Sequence, residues 1–99
     1  MAVNFWNTAL SLVAGNCNIW KPHEGLSLTT VACTKLVADV LEKEGVPGAV
    51  ASTICGGRDV GERMVADPSI ELVSFTGSTA VGRRVNEVVA RRFGKRILV

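Results

Sequence analysis

Ile70-Glu71-Leu72-Val73-Ser74-Phe75-Thr76-Gly77-Ser78-Thr79-Ala80-Val81-Gly82 runs from an apolar stretch straight into a helical pattern. Ile70 to Phe75 reads as a strand of the buried kind, short and apolar. Gly77 to Phe93 reads as a helix, with Val81, Val85, Val88 and Val89 on one face and Arg83, Arg84 and Arg91 elsewhere. Gly94 caps that helix, and Ile97-Leu98-Val99 begins another strand. A strand that passes through a helix to a further strand is the crossover that parallel pairing requires.

The same alternation extends toward the N-terminus. Arg58 to Ala66 looks helical and stops at Asp67-Pro68, because a residue before proline avoids the α region. Ala49 to Cys55 reads as a strand broken by Gly56-Gly57. Leu26 to Glu44 reads as a long helix between Pro22 and the turn Gly45-Val46-Pro47-Gly48. Leu28, Val31, Ala32, Leu36, Val40 and Leu41 recur on it at helical spacing. The pairs Lys35 with Asp39 and Asp39 with Lys43 lie on its wet side. Asn18 to Lys21 is a short strand. Phe5 to Ala14 is a helix whose apolar side is Trp6, Ala9, Leu10 and Val13, and Gly15-Asn16 ends it. Helices alternating with short apolar strands predict an α/β fold with a doubly wound parallel sheet. Its strands are expected near Asn18 to Trp20, Ala51 to Ile54, Leu72 to Phe75 and Ile97 to Val99.

A chain of 99 residues makes one small domain. A domain this short buries only roughly 60–70% of the surface its unfolded chain exposes. Yet 47% of the residues are hydrophobic and the mean hydropathy is +0.30. The surface therefore carries a large apolar patch, or the chain is a piece of something larger. A net charge of +2, with Lys and Arg interleaved among Asp and Glu, gives no footprint for nucleic acid. The longest apolar runs fall far short of a membrane span, and Met1 to Leu10 has no basic start of a signal peptide. Three widely spaced cysteines, Cys17, Cys33 and Cys55, and the single His23 cannot assemble a zinc site of usual spacing. They are expected to be buried, reduced thiols of a cytosolic-type protein.

Ligands of open α/β sheets bind outside the carboxyl ends of the strands, and three strand ends here carry chemistry. Lys21-Pro22-His23-Glu24 sets a lysine and a carboxylate where they can hydrogen-bond a ribose, although a solvated turn explains the tetrapeptide equally well. Cys55-Gly56-Gly57-Arg58 lets a backbone approach a flat ligand, but paired glycines are also ordinary turn residues. Thr76-Gly77-Ser78-Thr79 at a helix start forms an anion site, or Ser78 or Thr79 simply caps the helix. The spacing is G-x-x-x-x-G, neither the common dinucleotide fingerprint nor a P-loop.

Taken together the segments are far more specific. F-T-G-S-T-x-V-G downstream of W-K-P-x-E, with G-N before it and G-G between, resembles the aldehyde dehydrogenase superfamily. The stretches A-G-N-C-N-I-W-K-P, C-G-G-R-D-V-G and R-R-F-G-K-R-I-L-V resemble its antiquitin branch, the α-aminoadipic semialdehyde dehydrogenases of lysine breakdown. The resemblance covers essentially the whole chain. It implies that residues 1–99 are a partial NAD-binding domain, the core of a Rossmann-like coenzyme domain, with the catalytic and oligomerisation domains absent. It implies that Lys21 and Glu24 hold the adenosine ribose hydroxyls. Gly57, with Arg58 beside it, would line the adenine pocket. Ser78, after Gly77, would contact the pyrophosphate, Val81 would pack against adenine, and Thr76 would lie near the nicotinamide.

The resemblance also implies what these residues lack. The family's thiolate mechanism needs a cysteine nucleophile, a glutamate base and an oxyanion asparagine. The asparagine belongs to an N-F-P motif upstream of this stretch, the glutamate to an E-L-G-G motif after it, and the cysteine lies beyond. Asn7 sits past the N-F-P position, and none of the three cysteines has the nucleophile's context. No catalytic and no metal-binding residue is therefore assigned. The chain alone is expected to bind NAD weakly or not at all and to be inactive. Full-length members imply an aldehyde substrate, a homo-oligomer and a cytoplasmic location, or a mitochondrial one in a full-length eukaryotic form. A non-catalytic dinucleotide-binding or interaction fragment that pairs with full-length subunits is the alternative. A related acyl-phosphate reductase is disfavoured by Lys21 and Glu24.

Overall fold

A computed structural model describes residues 2–92, 94 and 96–98. The chain divides into two compact units, Met1–Gly57 and Arg58–Val99, and each runs helix, strand, helix, strand.

In the first unit, α1 (Ala2–Val13) ends at Gly15, whose φ of +76° is open to glycine at little cost. There the Asn16 N–H donates to the Ser11 carbonyl at 2.9 Å. β1 (Asn18–Trp20) follows, then a 3-10 turn (Glu24–Leu26) that leads into α2 (Ser27–Lys43). α2 closes in the same way. With Gly45 at φ +76°, the Gly45 N–H donates to the Glu42 carbonyl at 3.1 Å and the Val46 N–H to the Leu41 carbonyl at 2.9 Å. A second 3-10 turn (Gly48–Val50) delivers β2 (Ala51–Thr53). β1 and β2 are parallel, with Asn18 opposite Ala51, Ile19 opposite Ser52 and Trp20 opposite Thr53.

The second unit begins with α3 (Arg58–Ala66), followed by β3 (Leu72–Ser74), α4 (Thr79–Ala90) and β4 (Arg96–Leu98). β3 and β4 pair in parallel, Leu72 opposite Arg96 and Ser74 opposite Leu98. α3 packs on α4. Gly82, Val85 and Val89 recur every three or four residues on α4 and form its buried face. Val89 is 1% exposed.

The element order and the parallel sense agree with the alternation in the sequence. The strands differ from expectation in grouping: they form two parallel pairs, β1 with β2 and β3 with β4, instead of one continuous sheet. Each is three residues long, so each ladder holds few bonds. β3 is not of the buried kind either, since Leu72 is exposed and Val73 half-buried.

The helix faces are the larger departure. Trp6, Leu10 and Val13, expected on the core side of α1, are 70%, 60% and 90% exposed, and the buried residues of α1 are Asn4 and Thr8. Thr8 is held at 3.1 Å from both Asn4 Oδ1 and Asn18 Oδ1, which ties the helix to β1. α2 is turned in the same sense. Leu28, Val31, Leu36 and Val40 are exposed, while Thr30 is buried and Thr34, Val37, Ala38 and Leu41 are half-buried. The reason is proximity. A Cβ on Gly48 would lie 2.8 Å from the Ala38 Cβ and 3.2 Å from its Cα, so only small side chains fit where α2 passes the 3-10 turn before β2. The large apolar side chains of both helices fall on faces that these residues do not cover.

The core is correspondingly small, and single losses should be felt. Val89→Ala removes buried methyl volume worth about 2 kcal/mol. Val81→Ala on the exposed face of α4 should cost less than about 0.5 kcal/mol. Urea unfolding followed by backbone amide signals of α4 would measure both. Equal costs would contradict the burial pattern.

Candidate functional site

Parallel pairing brings the carboxyl ends of β1 and β2 to one edge of the first unit. The Ile54 N–H donates to the Trp20 carbonyl at 2.9 Å, so Lys21 and the segment Ile54 to Gly57 leave the sheet side by side. Lys21 is half-buried, and its ammonium donates to the Pro22 carbonyl at 3.0 Å. Pro22 is buried. Glu24 opens the 3-10 turn and is exposed. Its carboxylate has no hydrogen bond or ion pair among the described residues. Gly57 follows in the loop after β2. This edge can therefore offer a ligand an ammonium, an unengaged carboxylate and a glycine-bearing loop.

In the second unit, Thr76, Gly77 and Ser78 join β3 to α4. Ser78 is the N-cap, with φ −70° and ψ 145°, and its hydroxyl accepts from the Val81 N–H at 3.4 Å. The cap leaves the positive end of a 12-residue helix open to solvent. The capping reading of Ser78 therefore holds, and a capped helix start still has amides without an intrahelical partner. Gly77 also has a purely local reason: a Cβ there would lie 2.6 Å from the tip of the Phe75 ring. Val81 is exposed in the first turn of α4. Arg58 begins α3, and its Nε donates to Glu62 at 2.9 Å; Arg84 of α4 approaches the same carboxylate at 3.4 Å. Exposed pairs of this kind contribute little to stability, but they orient the Arg58 guanidinium along α3.

The structure thus places Lys21 and Glu24 after the carboxyl end of β1, Gly57 in the loop after the paired strand β2, and Thr76, Gly77, Ser78 and Val81 at the start of α4. The cysteines do not follow expectation: Cys17 and Cys55 lie exposed in loops and Cys33 is half-buried, all as free thiols. The two loops carry nothing that covers a side chain. Two depressions of the first unit reach the strand ends but not the candidate side chains. One lies among Asn4, Thr8, Asn18, Trp20 and Cys33 and the other between α2 and β2 as far as Thr53, and neither includes Lys21 or Glu24. Among the described residues, no three His, Cys, Asp or Glu side chains gather to hold a metal ion.

Two contacts escaped the sequence reading. His23 caps the 3-10 turn through its ring, and the Thr53 hydroxyl donates to the Trp20 carbonyl at 2.8 Å. Proline followed by a polar residue before a glutamate is a cap signal for the first. The second depends on strand register and has no local signal.

The sequence pattern of the aldehyde dehydrogenase family matches residues 1–99. The chain is 50% identical over 97 residues to aldehyde dehydrogenase family 7 member B4 of Arabidopsis thaliana, covering 98% of this chain and 19% of that protein. It is 48% identical over 98 residues to the α-aminoadipic semialdehyde dehydrogenase of Mus musculus, covering 99% of this chain and 18% of that protein. A family 7 member A1 of Malus domestica is 48% identical over 97 residues, covering 98% of this chain and 19% of that protein. The chain therefore spans less than a fifth of the length of these relatives.

Proposed function

The chain belongs to the aldehyde dehydrogenase family, and from that membership we propose that it is the coenzyme-holding part of an enzyme that oxidises an aldehyde to a carboxylic acid with NAD. The observation that carries this reading is that Lys21 and an unengaged Glu24 both follow the carboxyl end of β1, which pairs in parallel with β2. A ribose has two neighbouring hydroxyls that donate and accept. The Glu24 carboxylate accepts from both, and the Lys21 ammonium moves from the Pro22 carbonyl to donate to one. Ser78 and the start of α4 would hold the pyrophosphate, where amides and helix dipole meet its charge. Gly57 and Arg58 would border the adenine, Val81 would pack against it, and Thr76 and Gly77 would stand toward the nicotinamide. Bound NAD supplies a hydride acceptor. The finer architecture we propose is a Rossmann-like doubly wound sheet, which the two parallel strand-helix-strand units support. The relatives' name points to α-aminoadipic semialdehyde as the aldehyde, and we assign no residue of this chain to its recognition. A homo-oligomeric full-length enzyme completes the proposal.

Glu24→Gln tests the ribose assignment. A carboxylate that accepts from both hydroxyls leaves no room for a 2′-phosphate and repels it. Unit charges about 4 Å apart at an effective dielectric near 20 interact by roughly 4 kcal/mol before screening, and about 1.4 kcal/mol is already one decade in affinity. Any residual coenzyme binding by the chain should favour NAD over NADP, with Lys21 offsetting part of the repulsion. In titrations followed by amide shifts, Glu24→Gln should weaken NAD and narrow its lead over NADP. An unchanged NAD-to-NADP ratio would place Glu24 away from the ribose.

A further inference from the structure

Resting on the coenzyme reading of Lys21 and Glu24, we propose that His23 and Thr53 are positioning residues: they set the backbone on either side of Lys21 so that the ammonium and the carboxylate are presented to one ribose. Neither is among the residues that the reading places on the coenzyme. Each acts on the main chain from which those residues project.

The Trp20 carbonyl is the last acceptor of β1. It takes the Ile54 N–H at 2.9 Å and the Thr53 hydroxyl at 2.8 Å. The ladder bond alone would leave the carbonyl free to tilt. A second donor, from a half-buried side chain on the neighbouring strand, fixes the Trp20–Lys21 peptide plane and hence the direction in which Lys21 leaves. Buried Pro22 follows, and its ring holds its own φ. His23 is extended, with φ −62° and ψ 145°, and its Nδ1 accepts the Gly25 N–H at 3.2 Å. An imidazole here does what serine, threonine or asparagine does at a helix start. The His23 carbonyl accepts from the Leu26 N–H at 2.9 Å, and the Ser27 hydroxyl donates to the Glu24 carbonyl at 3.0 Å. Glu24 is thus bracketed by bonds on both sides while its carboxylate stays free. Two groups that must converge on two adjacent hydroxyls gain from such a turn, because less chain entropy is lost when the ligand arrives.

The probe is adenosine 5′-monophosphate set against its 2′-deoxy analogue, titrated into the whole 99-residue chain and followed by amide shifts. The ratio of the two affinities reads ribose hydroxyl recognition, and a general loss of stability moves both affinities together. The parent should prefer the ribonucleotide, and Lys21→Ala and Glu24→Gln should erase that preference. His23→Ala and Thr53→Val should each reduce it about fivefold, the effect of one hydrogen bond. His23→Asn, which keeps a capping acceptor, and Thr53→Ser, which keeps the hydroxyl, should restore it. Gly25 amide exchange should quicken in His23→Ala and recover in His23→Asn. Should Thr53→Val fail to fold, exposed His23 still decides the matter. If Lys21→Ala and Glu24→Gln erase the preference while His23→Ala and Thr53→Val leave it intact, the positioning role is overturned and the coenzyme reading survives. A parent that does not distinguish the two nucleotides overturns both.

Discussion

No reduction of NAD or NADP that depends on added aldehyde is expected from the 99-residue chain. The family's chemistry needs a thiolate, a base and an oxyanion donor within reach of one carbon. A cysteine attacks as the thiolate, which a neighbouring base or cation must favour. Cys17 and Cys55 lie exposed in separate loops, Cys33 is half-buried in α2, and no hydrogen bond or ion pair reaches a cysteine thiol among the described residues. The imidazole of His23 is engaged as a cap. Asn7 lies within α1. Removing a nucleophile alone costs on the order of 10⁶-fold in well-studied hydrolases, so the expected signal lies below detection. Absorbance of reduced coenzyme, with and without an aldehyde, measures it. Activity that persists through purification and disappears when Cys17 or Cys55 is replaced would show that an active site had been assembled from residues given no such role here.

Where the chain stops and starts its elements was legible because covalent chemistry decides it locally. Pro68 and the glycines 15 and 45 end or follow helices as expected, and α3 occupies Arg58–Ala66 as read. Strand limits were less legible. Ala49 and Val50, apolar enough for β2, belong to the 3-10 turn after Pro47. The covered face of each helix was not legible at all. Spacing at three and four residues shows that Trp6, Leu10 and Val13 share a side, but not what lies against that side. Coverage depends on the surrounding chain. The side that meets β1 is chosen by close approach and by the Asn4–Thr8–Asn18 bonds instead. The candidate site divides the same way. Lys21 and Glu24 follow a strand in the sequence and do so in the structure. The hydroxyl of Thr53 reaches the Trp20 carbonyl across 33 positions, and only the parallel register brings it there.

The same uncovered faces lead to the second large effect: the chain should self-associate, and charges on the outer side of α1 should reverse it. Val3, Phe5, Trp6, Leu10 and Val13 are exposed on a helix without a charged residue, and Leu28, Leu36 and Val40 are exposed on α2. Among the described residues no helix is long and apolar enough to cross a membrane. Soluble monomers rarely expose contiguous apolar patches beyond a few hundred Å². Burying one Leu or Val side chain gains about 1.5–3 kcal/mol, so two or three meeting across a contact outweigh much of the cost of association. The short pairs β1–β2 and β3–β4 add edges that can recruit a further strand. Sedimentation across a concentration series should show assembly in the micromolar range. The triple variant Trp6→Glu, Leu10→Glu, Val13→Glu should raise the dissociation constant at least about tenfold, since losing even one such contact is worth a decade. These side chains point away from Asn4 and Thr8, so amide dispersion of the first unit should survive the change. Binding of an apolar dye should fall in parallel. A parent chain that stays monomeric at high concentration without binding dye would mean that these faces close on each other in solution, and the exposure seen on α1 and α2 would then be wrong.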